Sequence, residues 1–424
     1  MSTADRPLRI ALLTYRGKPH CGGQGIYTRH LSKALVDLGH HVEVFSGPPY
    51  PVLDPRVPLH ELPSLDLWDR YPWMLPRPSQ VKTRIDVGET LRTALTGTFA
   101  EPWAFSKRAE RAILPRLADF DIVHDNQCLG SGLLGLQAAG LPILGTIHHP
   151  ITVDRRIDMA NAPNWFRRFG AGRFYAFTKM QSRVAQQLPR IMTVSENSLG
   201  DITDGHGVDP DKMRVVHVGV DPELFRPLPE IARIPGRLMT TSSSDVPMKG
   251  LVHLLEAVAK VRTERPEVSL TVIGTPNVDG PVMKAIRRFG IEDAVHFVSG
   301  VSDERIVELY AEAELAVVPS LYEGFSLPAI EAMAAGVPVV ATTGGAIPEV
   351  VGTDGTTAAL VPPGDAGALA QAIGELLDDT ARREAIGAAG RTRAVERYSW
   401  TATAVQTVQQ YREVIELVRN GNPA

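Results

Sequence analysis

The sequence predicts an α/β protein built from two doubly wound domains, each with a parallel β-sheet. Three observations support this prediction: a strand, helix, strand pattern over residues 8–45, a second such pattern over 237–273, and a proline-rich segment between them. Such a unit places its two strands parallel in one sheet and its helix on a face of that sheet. The length of 424 residues accommodates two domains of about 200 residues each.

The first strand, helix, strand unit begins with the apolar run Leu8–Thr14, which predicts a buried strand. A glycine-containing loop follows, and apolar residues then recur at helical spacing from Ile26 to Leu38. Gly39 is placed to end this helix, and His41–Phe45 forms the next predicted strand. The order of these elements indicates a parallel sheet in the first domain, which we assign to residues 1–228.

The second unit repeats the same order of elements without a detectable repeat of sequence. A strand is predicted over 237–241, a loop over 242–248, a helix over 249–262 and a strand over 268–273. We assign this second domain to residues 236–397. Ligands of such sheets bind at the carboxyl ends of the strands, so two facing sheets would place the site in the cleft between them.

The predicted linker, residues 225–235, contains Pro227, Pro229 and Pro235. Proline restricts the backbone, so this segment is expected to be stiff and to act as a hinge between the domains.

Residues 47–105 break the regular pattern, because they are rich in proline and tryptophan and show little periodicity. We interpret this segment as an insertion lying on the first domain. Two roles stay open, a long ordered loop that covers the core or a flap that binds an acceptor.

Composition excludes several classes of protein. Hydrophobic residues make up 44% and charged residues 22% of the chain, which is typical of a packed protein rather than a disordered one. The net charge of −4 excludes a globally basic nucleic-acid binder. Two cysteines, Cys21 and Cys128, cannot build a disulfide scaffold and favour a reducing compartment. No apolar run is long enough to span a bilayer and no secretory pattern opens the chain, so we expect a cytoplasmic protein.

The segment 317–340 carries the strongest functional pattern. A strand ends at Pro319, a glycine loop and a helix follow, and the next strand begins near Pro338. Ser326 is placed to cap the helix, with Pro328 in its first turn. The free amides of residues 325–327 would then face outward from the helix N-terminus, which favours a phosphate.

Two glutamates accompany this helix, Glu323 in the loop before it and Glu331 inside it. A carboxylate at 331 could accept hydrogen bonds from two ribose hydroxyls, and one at 323 from the hydroxyls of a sugar. Taken alone, such a pair would more often be two ordinary surface glutamates.

The surroundings of this pair change that interpretation. Glu323 and Glu331 form a Glu-x7-Glu motif within 319–340 that resembles the signature of retaining glycosyltransferases of family 4, also called glycosyltransferase group 1, which have the GT-B fold. Six further landmarks are similar to that family in order and spacing: Gly22-Gly23, Leu38–Val42, Thr146–His148, Val194–Glu196, Val218–Asp221 and Tyr398–Trp400. The resemblance implies two domains facing across a cleft, with a terminal helix over 398–424 that packs back on the first domain.

The resemblance also implies roles for individual residues. Glu331 would bind the ribose, Glu323 the transferred sugar and Lys249 the diphosphate, while His148 would lie beside the anomeric carbon. His149, the neighbour of His148, would point to the opposite face of its strand. The remaining implied contacts to the donor are Gly22, Gly23, Ser244, Val301, Gly324, Phe325, Ser326 and Leu327.

One position departs from the family pattern. The family usually carries arginine five residues before the phosphate-binding lysine, and this chain has Ser244 there. Either the serine hydroxyls bond the phosphate while Arg16 or Lys18 of the first loop supplies the positive charge, or the donor site is weakened or inactive.

The predicted function is retaining transfer of a hexose from a nucleotide-diphosphate sugar, with UDP-glucose and GDP-mannose as leading donors. The acceptor would be a glycan, a glycolipid or a small hydroxylated molecule, and no metal or cofactor is expected. The alternatives are a sugar-nucleotide epimerase, a phosphorylase or a non-catalytic nucleotide-sugar sensor. A nicotinamide dehydrogenase is disfavoured, because residues 21–25 do not match Gly-x-Gly-x-x-Gly and Glu43 lies within its strand rather than at its end.

A basic and aromatic segment, residues 164–183, carries five positive charges and no acidic residue. It could be a surface helix whose arginines extend over core aromatics. It could also be an interfacial patch that meets anionic lipid at the inner face of the membrane, or an anionic acceptor.

Overall fold

A computed structural model describes residues 6–18, 23–67, 75–160, 162, 164–242 and 246–421. The described residues divide into two units. Unit 1 comprises those within 1–194, 198–216 and 403–424, and unit 2 comprises those within 195–197 and 217–402.

Unit 1 is an α/β unit around one parallel sheet. Its strands are β1 (Arg9–Thr14), β2 (His41–Ser46), β3 (Leu59–Glu61), β4 (Ile122–Asn126), β5 (Ile143–Ile147), β6 (Arg190–Thr193) and β7 (Met213–Val215). The helices that accompany them are α1 (Gly23–Asp37), α2 (Arg84–Thr96), α3 (Glu101–Ile113), α4 (Gly132–Ala138), α5 (Ile151–Ala160), α6 (Trp165–Phe174), α7 (Thr178–Gln187) and α8 (Glu196–His206).

The described strands of unit 1 follow the order β3-β2-β1-β4-β5-β6-β7, and each neighbouring pair is parallel. The central strand β1 lies between β2 and β4, and its residues 10–14 are buried. A strand covered on both faces reads as a continuous apolar run, and this is why the sequence predicts β1 so directly.

The segment 47–105 is more closely joined to the sheet than an insertion on the surface would be. Its strand β3 pairs in parallel with β2 and forms the edge of the sheet, which corrects the interpretation for this part of the segment. Its helix α2 begins at the cap Thr83, whose side chain accepts a hydrogen bond from the amide of Asp86. Residues 68–74 lie outside the described residues.

The terminal helix α16 (Trp400–Arg419) returns to the first sheet, as predicted, since its residues from Thr403 belong to unit 1. Its fully buried Tyr411 places its hydroxyl 2.7 Å from Nδ1 of His124 on β4. Burial lowers the pKa of His124 to about 3, so this histidine is neutral and the pair is a neutral hydrogen bond.

Unit 2 contains a second parallel sheet. Its strands are β8 (Arg237–Thr241), β9 (Ser269–Ile273), β10 (Val295–Val298), β11 (Leu315–Val318), β12 (Val339–Thr342) and β13 (Ala359–Val361). Its helices are α9 (Leu251–Arg262), α10 (Pro281–Phe289), α11 (Asp303–Glu312), α12 (Leu327–Ala334), α13 (Ile347–Val351), α14 (Ala366–Asp378) and α15 (Thr380–Arg397). In the described part of the chain the strand order is β10-β9-β8-β11-β12-β13, and every pair is parallel.

The predicted helix 249–262 begins later than expected. Residues Pro247–Lys249 form a short 3-10 helix, and α9 begins at Leu251 after Gly250. Gly250 has a φ of 65°, and a Cβ at this position would lie 2.0 Å from the carbonyl oxygen of Pro319. The close approach of the two loops therefore requires glycine and interrupts the helix.

The two units divide at residues 216 and 217 rather than at 228. The segment after this division packs on unit 2, because the amide of Val220 donates to the carbonyl of Tyr398 at 2.7 Å. Arg233 in the predicted linker donates to the carbonyls of Ala313 and Gly336. Side-chain and backbone hydrogen bonds thus hold the proline-rich segment on unit 2.

Among the described residues, no helix is both long enough and apolar enough to cross a membrane.

Candidate active site

Three loops of unit 2 follow the adjacent strands β8, β11 and β12, and they meet at the carboxyl edge of the sheet. The first leads to Lys249, the second contains Glu323, and the third contains Gly344 and Gly345. Parallel sheets bind their ligands at this edge, so the sheet itself brings the predicted donor residues together.

Lys249 and Glu323 form an ion pair across the first two loops. The ammonium nitrogen lies 2.8 Å from Oε1 and 2.9 Å from Oε2 of the carboxylate. The hydroxyl of Ser320 donates to Oε1 at 2.7 Å, and the amide of Leu321 donates to the carbonyl of Met248 at 2.7 Å. The glutamate side chain is mostly buried and the lysine one-third exposed, so both charges are held in place while ligand can still reach the ammonium group.

The third loop supports the backbone of Glu323. The amide of Ala346 donates to the carbonyl of Glu323 at 2.8 Å, and Gly345 has a φ of 62°. A Cβ at 345 would lie 2.3 Å from that same carbonyl oxygen. No role was predicted for this loop, although adjacent glycines after an apolar strand are the same signal that identified Gly22 and Gly23.

The N-terminus of α12 follows directly on this loop. Ser326 occupies the N-cap position and Pro328 lies in the first turn, as predicted. The expected capping hydrogen bond is absent, because the Ser326 side chain accepts none from the helix amides. Its hydroxyl is buried and has no hydrogen-bond partner within the described residues. An unpaired hydroxyl and free amides at a helix N-terminus suit an anionic oxygen.

The loop that precedes α12 is supported on its other side. The hydroxyl of Ser195 donates to the carbonyl of Gly324 at 2.6 Å. The ring of Phe325 lies 6.0 Å from the ring of His217 and 5.6 Å from the ring of Tyr398, centroid to centroid. These contacts, all within unit 2, hold the backbone of residues 324 and 325 in place for binding.

Glu331 lies within α12 and is half-buried. Burial raises the pKa of its carboxyl to about 7, with a further contribution from the negative charge of Asp303. The buried Tyr310 interacts with this carboxyl and also donates from its hydroxyl to the carbonyl of Pro328 at 3.3 Å. Burial therefore disfavours the ionised form of Glu331 unless a partner donates hydrogen bonds to the carboxylate.

His148 lies in unit 1, directly after β5. Its Nε2 lies 2.6 Å from Oδ1 of Asn126, and the ring of Tyr27 meets it edge-on at 4.4 Å between centroids. Burial lowers the pKa of His148 to about 4, so the ring is neutral at ordinary pH. His149 makes a separate contact, from its Nε2 to Oδ1 of Asp154 at 2.9 Å.

The first loop is described only in part. Gly22 and Ser244 lie outside the described residues. Gly23 begins α1, and a Cβ added there would meet nothing within 4 Å in the described structure. Gly25 is more constrained, because its Cβ would lie 2.0 Å from the carbonyl oxygen of Lys18.

The two candidate compensating charges differ. Arg16 is paired with the buried Glu101, with nitrogen to oxygen distances of 2.6 and 2.7 Å, and its guanidinium lies over the ring of Phe99. Lys18 is exposed at the end of the described part of the loop. Val301, one of the implied contacts to the donor, lies in the loop between β10 and α11.

The described residues contain no group of three or more histidine, cysteine, aspartate or glutamate side chains arranged to hold a metal ion. The structure thus groups Lys249, Glu323, Gly324–Leu327 and Glu331 in unit 2, while His148, Gly23, Arg16 and Lys18 belong to unit 1.

Two parallel-sheet α/β units, with a terminal helix whose residues from Thr403 belong to the first unit, are the architecture of the GT-B fold. The family model for Glycosyltransferase Family 4 matches residues 21–224, and that for Glycosyl transferases group 1 matches residues 235–393. The chain therefore belongs to glycosyltransferase family 4, group 1, as the motif around Glu323 and Glu331 indicated.

Individual relatives agree with this assignment over nearly the whole chain. It is 51% identical to an MMP alpha-(1→4)-mannosyltransferase of Mycolicibacterium hassiacum, over 97% of this chain and 99% of the relative. It is 28% identical to a D-inositol 3-phosphate glycosyltransferase of Catenulispora acidiphila, over 97% and 96% of the two chains. Its fold is similar to a sucrose-phosphate synthase of Thermosynechococcus elongatus, with a TM-score of 0.73, 25% identity, and 96% and 99% of the two chains covered.

Proposed function

We propose that this protein is a retaining mannosyltransferase. It transfers mannose from GDP-mannose to a hydroxyl group of a mannoside acceptor and forms an α-(1→4) bond. The observation that carries this proposal is the 51% identity, over nearly the full length of both chains, to a protein named as an MMP alpha-(1→4)-mannosyltransferase. Of the two donors expected from the sequence, GDP-mannose is the one that supplies mannose.

Unit 2 supplies the groups that suit a nucleotide-diphosphate sugar. In this proposal Glu331 accepts hydrogen bonds from the ribose hydroxyls, and Lys249 pairs with the diphosphate. The free amides at the N-terminus of α12 and the unpaired Ser326 hydroxyl face the same phosphate oxygens. Glu323 then exchanges its ammonium partner for hydroxyl groups of the mannose.

Most of the rate enhancement would come from stabilising the departing nucleotide. As the bond between mannose C1 and the phosphate oxygen breaks, negative charge grows on the diphosphate, where Lys249 and the helix amides offset it. The acceptor oxygen bonds to C1 on the face from which the phosphate leaves, and its proton passes to a phosphate oxygen. The configuration at C1 is thereby retained, and no carboxylate nucleophile takes part.

Unit 1 contributes His148 as a neutral hydrogen-bonding group for the transferred sugar. Its lowered pKa keeps the ring uncharged, so it does not compete with Lys249 for the diphosphate. For the charge that Ser244 does not supply, Lys18 is the better candidate, since Arg16 already neutralises Glu101.

The donor and acceptor can be tested together. The purified protein is incubated with GDP-mannose or UDP-glucose and with a short α-(1→4)-mannoside, a glucoside of equal length or an inositol phosphate, and the products are followed by mass spectrometry. We expect extension by one hexose only with GDP-mannose and the mannoside. Transfer from UDP-glucose, or to inositol phosphate alone, would replace the proposal by that activity, and donor hydrolysis without transfer to any acceptor would also contradict it.

We further propose that the protein acts in the cytoplasm and touches the membrane surface through residues 164–183. Helix α6 exposes Trp165, Phe166 and Phe169 to 66%, 66% and 60%, beside Arg167 and Arg168. Exposed aromatic rings next to cations suit the interface of an anionic bilayer. We expect flotation with anionic vesicles at low salt that a Trp165→Ser, Phe166→Ser variant loses, and absence of wild-type binding to such vesicles would refute membrane contact.

A further inference from the structure

Asn126, at the carboxyl end of β4, contacts the predicted catalytic histidine from the neighbouring strand. In the parallel register of β4 and β5, Asn126 pairs with Thr146, two residues before His148. Its Oδ1 lies 2.6 Å from Nε2 of the histidine ring. Neither composition nor motif had suggested a role for this asparagine.

The orientation of the Asn126 amide is fixed by its other partners. Its Nδ2 donates to the carbonyl of Gln24 at 3.1 Å and to the hydroxyl oxygen of Thr28 at 3.0 Å. A carbonyl oxygen can only accept, and the Thr28 hydroxyl already donates to that carbonyl at 2.8 Å. The amide nitrogen must therefore face α1, which leaves Oδ1 facing His148.

This orientation determines where the histidine carries its proton. Because Oδ1 of Asn126 can only accept, Nε2 of His148 must donate, and in a neutral ring Nδ1 then keeps its lone pair. Nδ1 takes part in no hydrogen bond within the described residues. It is therefore the atom of this ring that can accept a hydrogen bond from a sugar hydroxyl.

Gln127 fixes the backbone that carries the ring. Its Oε1 accepts from the amide of His148 at 2.8 Å, and its Nε2 donates to the carbonyl of His149 at 2.7 Å. Gln127 itself has a φ of 59°, a left-handed conformation that residues other than glycine rarely adopt. Strained backbone conformations of this kind occur most often at functional sites, where the surrounding contacts maintain them.

We propose that Asn126 and Gln127 are positioning residues that hold His148 as the tautomer protonated on Nε2, with Nδ1 directed to accept a hydroxyl group of the transferred sugar. This inference rests on the proposed function for the identity of the sugar, but not for the tautomer. Through Gln24 and Thr28 the same amide connects the ring to the first two turns of α1, which follow the glycine loop predicted to face the donor phosphates.

The tautomer can be measured in the free protein, without any substrate. Histidine labelled with ¹⁵N gives separate signals for protonated and unprotonated ring nitrogens, and the His148→Gln variant identifies the signals of this ring. We expect a neutral ring with the proton on Nε2 in the wild type. A proton on Nδ1, or rapid exchange between the two tautomers, would overturn the proposal whatever the activity of the protein.

Substitution of Asn126 provides the second measurement. In Asn126→Asp a carboxylate would face Nε2 and favour the charged imidazolium, so the ring should titrate at a higher pH than in the wild type. The other groups next to the ring, His124 and Tyr27, are uncharged at neutral pH, because burial lowers the pKa of the first and raises that of the second. The matched control is Asn420→Asp, which makes the same change at an exposed position directly after α16.

The pH profile of transfer then separates positioning from simple structural damage. We expect Asn126→Asp to add a new ionisation to kcat/KM that coincides with the titration of His148, and to lower kcat at least tenfold with little change in donor KM. The control should match the wild type. An unchanged profile in Asn126→Asp would contradict the proposal, whereas a correct tautomer in a protein that transfers no mannose would refute the proposed function alone.

Discussion

The ammonium nitrogen of Lys249 lies 2.8 Å from Oε1 of Glu323, within an ion pair that joins two loops of the second sheet. Both residues were assigned to the donor from the sequence, one to the diphosphate and the other to the sugar. Before a donor binds, the two side chains neutralise each other's charge, and in the proposal a bound donor replaces this contact. The buried carboxylate depends on the ammonium group, so the two side chains are expected to respond differently to substitution.

Replacing Lys249 with alanine should weaken donor binding strongly. A hydrogen bond to a charged group contributes about 1.5–3 kcal/mol, which corresponds to roughly a 10- to 100-fold loss of affinity for GDP. Glu323→Gln should leave the affinity for GDP within about threefold and lower kcat instead, since the proposal places it against the sugar. Titration calorimetry with GDP and steady-state transfer assays measure the two effects.

The control for Lys249 is Lys260→Ala. Lys260 pairs with Glu256 at 2.9 Å on the exposed surface of α9, where an ion pair contributes little. Removal of the Lys260 ammonium group should leave both the affinity for GDP and kcat unchanged. Equal effects of the two lysine variants on GDP affinity would show that Lys249 has no specific role with the diphosphate.

Donor binding should depend on pH through Glu331. Its pKa of about 7 means that the carboxyl is largely protonated at pH 6 and ionised at pH 8. If the carboxylate accepts the ribose hydroxyls, affinity for GDP should rise between these values. In Glu331→Gln that rise should be absent, and the affinity should stay below that of the wild type at pH 8.

The raised pKa of Glu331 also makes the stability of the protein depend on pH. Stability should fall as the pH rises, whereas the affinity for GDP should rise. The folded-state pKa of Glu331 lies above the ordinary value of 4.5, so the folded state binds the proton more tightly than the unfolded state. This contribution to the free energy of unfolding is complete below about pH 4.5 and is lost as the pH rises through about 7. Thermal unfolding of Glu331→Gln should lack this loss, and an identical pH slope in both proteins would contradict the burial of the charge.

The loop of Gly344 and Gly345 offers a test that rests on backbone geometry. Gly345→Ala would place a Cβ 2.3 Å from the carbonyl oxygen of Glu323. We expect it to displace that loop, to lower the melting temperature of unit 2 and to reduce donor affinity at least tenfold. Differential scanning calorimetry and titration with GDP report the two effects.

Gly290→Ala is the matched control for the close contact between a Cβ at position 345 and the carbonyl oxygen of Glu323. Gly290 has a φ of 64°, nearly the same as Gly345, but a Cβ there would meet nothing within 4 Å in the described structure. Gly290→Ala should lower the free energy of unfolding by about 1 kcal/mol, because only the left-handed backbone is strained, and should leave donor affinity unchanged. Similar losses in both variants would mean that the contact with Glu323 does not determine the geometry of the donor loop.

The positive charge missing at Ser244 should be supplied from the first loop. We expect Lys18→Ala to weaken GDP binding about tenfold and to reduce its dependence on ionic strength, because one fewer charge faces the diphosphate. Arg16→Ala should act mainly on stability, because it would remove the guanidinium that pairs with the buried Glu101 at 2.6 Å. Lys33→Ala, on the exposed surface of α1, is the control. Unchanged GDP affinity in Lys18→Ala would remove this residue from the site.

The sequence predicted most of the sheet and the donor loops because their signals are local. Short apolar runs predict the buried strands β1 and β8. In the loop before α12, a glutamate and a glycine follow an apolar strand. The resemblance to the family assigned Lys249 and Glu323 to one donor site, and the carboxyl ends of parallel strands, which lie at one edge of the sheet, are where such a site is expected. Their direct ion pair could not be predicted, because it depends on the paths of two loops separated by about seventy residues.

The remaining features depend on contacts between distant segments. β3 is a strand only because it pairs with β2, and its three residues carry no periodic signal. Gly250 interrupts the predicted helix because the carbonyl of Pro319 approaches it. Asn126 was not identified because its relation to His148 arises from strand register, which a single sequence does not display. Ser326 occupies the predicted N-cap position but makes no capping hydrogen bond, because local preference cannot show which way a buried hydroxyl turns.

The configuration of the first product formed decides whether the protein is a retaining mannosyltransferase. The protein is supplied with GDP-mannose and a short mannoside labelled at its reducing end, and the new anomeric centre is observed by NMR as the reaction proceeds. We expect a single new α-(1→4)-linked mannose from the earliest time point, since the donor carries its nucleotide in the α configuration and transfer retains it. A β-linked product, or no transfer of mannose under conditions in which GDP binds, would contradict the proposed function.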